Sequence, residues 1–135
     1  MTLQVSSVLI DELLAAAGAA HPLEACGLLL GEGEAVAKVR TCANVHPRPE
    51  SHFEIDPQAL IDAHRSARAG GPQVLGYWHS HPSGLPEPSA TDRAHGTGDG
   101  RVWAIVALDR AGGRVGWWRD GPQGFEPLST GTAHR

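Results

Sequence analysis

An apolar run, Val74 to His79, leads into the pair His79 and His81, and Asp92 follows after ten intervening residues. These three side chains can meet only if the chain folds in one way. Residues two apart on a β-strand project from the same face, so a strand ending in His79-Ser80-His81 presents both imidazoles to one point. The connection must then swing back over the strand end to deliver Asp92, and Pro82, Pro86 and Pro88 restrict the freedom of that path. Imidazole nitrogen and carboxylate oxygen are donors that zinc accepts at roughly 2.0–2.2 Å, and three protein donors leave a fourth position open, as hydrolytic centres require. Ser89-Ala90-Thr91-Asp92 has a second reading, because a serine three residues before an acid also starts helices. A His-x-His pair alone is weak evidence. Strand, pair, rigid loop and Ser-x-x-Asp carry weight in conjunction.

The rest of the pattern predicts an α/β or α+β fold, with a mostly antiparallel, mixed sheet flanked by about three helices. Ser6 or Ser7 caps a helix running to about Ala19, with Val8, Leu9, Leu13, Leu14 and Ala17 on one side. His21-Pro22 ends it, since proline disfavours helical geometry in the preceding residue. Cys26–Leu30 reads as a buried strand, Gly31–Glu34 as a turn and Ala35–Thr41 as a half-buried strand. Asn44–Ser51 reads as a loop and His52–Ile55 as a short strand. Asp56-Pro57 starts a second helix, which carries Leu60, Ile61, His64 and Ala67 and stops at Gly70-Gly71-Pro72. Val74–His79 is a central strand, and Ser89 opens a third helix to about His95. Val102–Leu108 is the strongest strand, Arg114–Arg119 the next, and Asp120-Gly121 turns the chain toward Phe125.

At 135 residues the expectation is one domain spanning 1–135. A chain of this size buries about two-thirds of its unfolded surface, enough to form a core without disulfides or metal. A formal charge of −4 with no basic stripe argues against nucleic acid as a partner. Cys26 and Cys42 are the only cysteines and do not form a C-x-x-C pair, which fits a reducing cytoplasm. Met1–Val5 shows no basic and apolar leader. The longest apolar stretch, Leu13–Ala20, is far too short to cross a bilayer, so no membrane role is expected.

Hydrolysis also needs a general base. Glu24, just before the buried strand in Glu24-Ala25-Cys26-Gly27-Leu28-Leu29, is the candidate. A surface glutamate after a helix is the plainer reading, and spacing alone does not bring Glu24 to His79. Taken together, Glu24 ahead of Cys-Gly-Leu-Leu, His79-Ser80-His81-Pro82 and Ser89-x-x-Asp92 resemble the motif of the JAMM (MPN-plus) metalloproteases. That motif is a glutamate, then His-x-His, ten residues and an aspartate, with a serine three before the aspartate. All five positions match. The similarity runs from the first helix to the strand around Val102–Leu108 and includes Phe53-Glu54-Ile55-Asp56-Pro57, as in a compact prokaryotic member.

The resemblance implies a cytidine-deaminase-like MPN (JAB) domain with one zinc ion per chain, held by His79, His81 and Asp92 together with a water. Zinc lowers the pKa of such a water to about 7. Glu24 would take the water's proton and hand it to the leaving amine. Ser89 would donate a hydrogen bond to the oxyanion, a contribution typically worth ~10²–10³ in turnover. The implied bond is an amide or isopeptide after the C-terminal Gly-Gly of a ubiquitin-like or sulfur-carrier protein, with the tail added along a sheet edge. An E1-like enzyme encoded nearby would belong to the same system. A carrier–lysine conjugate, a precursor extension and an amino acid on a carrier thiocarboxylate all remain open as substrates.

Two other readings stand beside this one. A non-catalytic MPN scaffold is disfavoured by the complete motif. Ser83-Gly84 and Pro86-x-Pro88-Ser89 also resemble RadC-like proteins associated with DNA repair, but Glu24–Leu29 and the acidic charge fit the peptidase branch better. Cys26 is read as a small buried hydrophobe. His21, His46, His52, His64, His95 and His134 are too dispersed to predict a second metal site. Of Trp117-Trp118, one ring should face the core and one outward. Trp78 is expected to pack around the site, and Tyr77 to share the face of His79.

Overall fold

A computed structural model describes residues 2–82 and 84–132, so Ser83 and His134 lie outside the described residues. In chain order the elements are β1 (Thr2–Gln4), α1 (Ser7–Ala20), β2 (Cys26–Glu32), β3 (Ala35–Cys42), α2 (Pro57–Arg68), β4 (Gln73–His81), α3 (Ala90–His95), β5 (Val102–Ala107), β6 (Arg114–Gly121), β7 (Gly124–Pro127) and β8 (Ser129–Gly131). The strands form one mixed sheet in the order β7-β6-β5-β4-β2-β3-β1-β8. β2 runs antiparallel to β3 and β4, and β5, β6 and β7 form an antiparallel meander. β4 and β5 are parallel, and the crossover between them carries α3.

Side-chain alternation sorts the apolar residues into two layers. On one face, Leu9, Leu13 and Ala17 of α1 pack with Leu29, Trp78, Ala104, Val106 and Trp117. On the other, Ala63 of α2 packs with Cys26, Leu28, Leu30, Ile55 and Val74, and Tyr77 joins from β4. His79 lies opposite Cys26 in the β2–β4 register and shares the face of Tyr77, so the histidines belong to the α2 side. Trp78 is fully buried on the α1 side, with Nε1 donating to the Arg40 carbonyl at 3.1 Å. It therefore packs behind the site rather than around it, because one residue along a strand changes the face. The indole crosses β2 over Gly27, where a Cβ would sit 2.4 Å from Nε1.

α1 is capped by Ser6, whose side chain accepts from the Leu9 N–H. Its buried stripe is narrower than the sequence predicts. Leu9, Leu13 and Ala17 repeat every four residues, while Val8 is 63% exposed. Asp56 caps α2, with Pro57 at its start, but Ala63 faces the sheet and Ile61 is exposed. The expected strand His52–Ile55 reduces to one bridge between Asn44 and Ile55. β6 continues through Gly121, which pairs with Gly124, so the turn falls later than predicted. β1 and β8 are three residues each, too short for alternation to reveal them. Asp120, buried on β6, accepts from the backbone N–H groups of Thr97 (2.9 Å) and Gly98 (3.1 Å) and anchors the return from α3 to β5. Among the described residues no helix is long and apolar enough to cross a membrane.

Candidate metal centre

β4 delivers both histidines from one face, and their Nε2 atoms stand 3.2 Å apart. Asp92 arrives from the first turn of α3, with Oδ2 3.1 Å from each Nε2. All three side chains are buried. A tetrahedral ion with bonds of about 2.0–2.1 Å separates its ligands by roughly 3.3 Å, so this spacing fits one ion. The donor chemistry agrees. Two imidazole nitrogens facing each other away from water need a proton or a cation between them, and the adjoining carboxylate supplies compensating charge. Two nitrogens and one oxygen form a donor set that zinc shares with other first-row divalent ions.

Asp92 is a helix cap and a candidate ligand at once. Ser89 Oγ accepts the Asp92 N–H at 3.1 Å, and the Ser89 N–H donates to Asp92 Oδ2 at 2.9 Å, closing the capping box. Accepting that bond leaves the Ser89 hydroxyl its own proton to donate. The two readings of Ser-x-x-Asp therefore coexist in one geometry.

The two histidine rings are held differently. His81 Nδ1 lies 3.0 Å from the Leu85 carbonyl, an acceptor that fixes the Nδ1–H tautomer and turns the Nε2 lone pair toward the cluster. That carbonyl is placed by the next residue, whose own carbonyl accepts from Trp118 Nε1 at 3.1 Å. Pro86 O also rests on Gly116, where a Cβ would lie only 1.9 Å away. β6 thus seats the loop that orients His81. His79 is held by aromatic packing instead. Phe53 stacks on its ring at 4.3 Å and Trp103 meets it edge-on at 5.7 Å, while its buried Nδ1 has no hydrogen-bond partner among the described residues.

Glu24 lies in irregular chain between α1 and β2, and Ser80 brings that segment to the histidines. The Ala25 N–H donates to Ser80 Oγ at 2.8 Å, and the Ser80 N–H donates to the Ala25 carbonyl at 3.0 Å. The middle residue of His-Ser-His therefore ties Glu24's neighbour to the pair. Glu24, His81 and Ser89 line one cleft of about 530 Å³, together with Leu85, Glu50 and Glu87.

Burial and charge divide the titratable groups. Burial pushes the Glu24 carboxyl up to about 7; His81 partly opposes this and the Asp92 charge adds to it. Burial also raises Asp92, but hydrogen bonds to both histidines, the proximity of His79 and the Ser89 N–H outweigh it and hold that carboxyl well below the usual range. Burial pushes His79 down against the raising effect of Asp92, toward the neutral ring that a metal donor needs. For His81 burial is outweighed by Asp92 and the Leu85 carbonyl, and its pKa is raised.

The structure thus gathers His79, His81 and Asp92, and places Glu24 and Ser89 on the same cleft. Cys26 is buried with its thiol pushed up to about 12 by burial, unsuited to act as a nucleophile. His46 and His52 stack at 4.7 Å but join no metal-capable group among the described residues. The outer strands β7 and β8 are separated from β4 by β5 and β6 on one side and by β2, β3 and β1 on the other. Sequence reasoning missed Ser80, Phe53, Gly116 and Trp118. Only Ser80 carried a signal, since its parity with Trp78 puts it on the α1 side.

A family model described as prokaryotic homologs of the JAB domain matches residues 6–120. The chain is 34% identical over 90 residues to a desampylase of Haloferax volcanii, an alignment covering 65% of each protein. It is 36% identical over 92 residues to a probable TtuB-protein conjugate cleaving protease of Thermus thermophilus, covering 68% of this chain and 62% of that one. The chain therefore spans slightly under two-thirds of these relatives' lengths. A solution structure of a Desulfitobacterium hafniense protein superposes with a TM-score of 0.86 at 27% identity, covering 99% of this chain and 94% of that one.

Proposed function

Because the chain belongs to the prokaryotic homologs of the JAB domain and is a compact JAMM/MPN member, we propose that it is a metal-dependent hydrolase of isopeptidase type. Its substrate is a conjugate of a ubiquitin-like or sulfur-carrier protein, cut after a C-terminal Gly-Gly. The observation that carries this reading is the set of three buried donors 3.1–3.2 Å apart on a cleft that also holds Glu24. Relatives named as a desampylase and as a protease that cleaves protein conjugates support the substrate class.

His79, His81 and Asp92 would hold one divalent ion, zinc by this reading. When bound, it supplies Lewis-acid polarisation of the scissile carbonyl and of water. Glu24 accepts a proton from the attacking water and passes it to the departing amine. Its partly buried place on the cleft, where burial raises the carboxyl in the ion-free protein, favours its taking up that proton. Ser89 donates a hydrogen bond from its hydroxyl to the carbonyl oxygen as charge develops there. The His81 ring keeps its orientation through the Leu85 carbonyl, and His79 through Phe53. The diglycine tail would lie between Glu50-Ser51 and the segment 84–88, which line the cleft.

The test is cleavage of a lysine-linked carrier conjugate by the parent protein with zinc, after chelation, and by Glu24→Gln. Turnover should vanish on chelation and return with zinc. The Glu24→Gln protein should bind zinc as the parent does and lose about 10²–10⁴-fold in turnover. Equal cleavage by the chelated and zinc-loaded forms would overturn the proposal.

A further inference from the structure

Glu24 belongs to no helix or strand, so its position depends on where its own backbone groups are tied. Both go to the segment between β3 and α2. The Glu24 N–H donates to the Pro49 carbonyl at 2.8 Å, and the Glu24 carbonyl accepts from Asn44 Nδ2 at 3.0 Å. Asn44 spends the rest of its side chain on the same segment. Nδ2 also donates to the His52 carbonyl at 3.0 Å, and Oδ1 accepts from the backbone N–H groups of His46 (3.1 Å) and Glu54 (3.0 Å). A carboxamide has two donors and room for two accepted bonds, and all four are used here. Three close the segment 44–54 on itself, and the fourth reaches Glu24. The backbone of Asn44 is fixed in turn by its bridge to Ile55, which sits in the core under α2.

We propose that Asn44 is a positioning residue for Glu24. Its amide turns residues 44–54 into a stiff bracket whose two contacts, Asn44 Nδ2 and Pro49 O, fix Glu24 relative to the His79–His81–Asp92 cluster. Ser80 holds Ala25 from the sheet side and Asn44 holds Glu24 from the loop side, so the backbone that carries the catalytic carboxylate is gripped from both directions. The kinetic part of this inference rests on the hydrolase reading above; the exchange part does not.

Two measurements test it on Asn44→Ala and Asn44→Asp. The aspartate keeps the oxygen that accepts from His46 and Glu54 but replaces the donor to Glu24 with a second oxygen. Residue-resolved amide hydrogen exchange should show the Glu24 N–H exchanging at least ~10-fold faster in both variants, with the Ala25 N–H unchanged. On a lysine-linked carrier conjugate kcat should fall about 10–100-fold, with KM and zinc affinity within about threefold of the parent, as a misplaced reacting group predicts. In a Glu24→Gln background the same substitutions should cost nothing further, because the group they position is already gone. Unaltered Glu24 exchange, or an equal loss of kcat with and without the Glu24 carboxylate, overturns the assignment. If Asn44→Ala fails to fold, Asn44→Asp decides. If the parent cleaves no conjugate, the hydrolase reading fails and the exchange measurement still decides the role of Asn44.

Discussion

Gly116→Ala tests whether β6 controls the metal site through a loop it never joins covalently. A Cβ at position 116 would sit 1.9 Å from the Pro86 carbonyl oxygen, against about 3.4 Å for ordinary contact, so the loop must retreat by about 1.5 Å. The adjacent Leu85 carbonyl moves with it. Its bond to His81 Nδ1, now 3.0 Å, is then stretched beyond hydrogen-bonding range. Losing the outer partner of a metal-binding histidine typically costs 10–100-fold in affinity, or about 1.4–2.7 kcal/mol. Competition for zinc against a chromophoric chelator reads this directly and requires no substrate. Trp118→Phe, which removes the other hold on Pro86 but adds no bulk, should weaken zinc in the same direction and by less than tenfold. Zinc affinity of Gly116→Ala within twofold of the parent would falsify the chain of contacts from Gly116 through Pro86 and Leu85 to His81.

Ser80→Ala strands the Ala25 N–H that now donates to Ser80 Oγ, and should cost about 1–3 kcal/mol. For a chain of this size that is a fall of roughly 4–10 °C in Tm, so an unchanged melting curve contradicts the role given to Ser80. The pH dependence of the ion-free protein tests the burial of Glu24. Its carboxyl stands at about 7 in the fold against an ordinary 4.5, so between these values the folded state keeps a proton that the unfolded chain releases. Its contribution to stability is complete below pH 4.5 and is lost as pH rises through about 7. Relative to Glu24→Gln, the ion-free parent should lose stability across that window in chemical denaturation, and a pH-independent difference refutes the burial argument.

The donor set was legible because its geometry is local. A period of two fixes His79 and His81 on one face, and a capping box fixes Asp92 at a helix start, whatever surrounds them. The same local rules found α1, α2 and the central strands. They failed where the outcome depends on partners distant in sequence. β1 has little apolar pattern and exists because β3 and β8 flank it. Ile61 fits the apolar side of a helix, yet α2 docks through Ala63 with Ala59 and Leu60 beside it, a rotation set by the sheet it packs on. Glu24 meets the cluster through Ser80 and Asn44, contacts that no spacing along the chain encodes. Trp118 reads as an exposed aromatic until a carbonyl 32 residues away occupies its N–H.

The tripeptide His79-Ser80-His81 passes through the sheet like a rivet, with its two rings on the α2 side and its hydroxyl among the residues under α1. An ion gripped on one surface therefore pulls on a residue anchored in the opposite layer. Loading the centre should accordingly stiffen both hydrophobic layers together, making occupancy of the cleft a property of the whole fold rather than of one exposed corner.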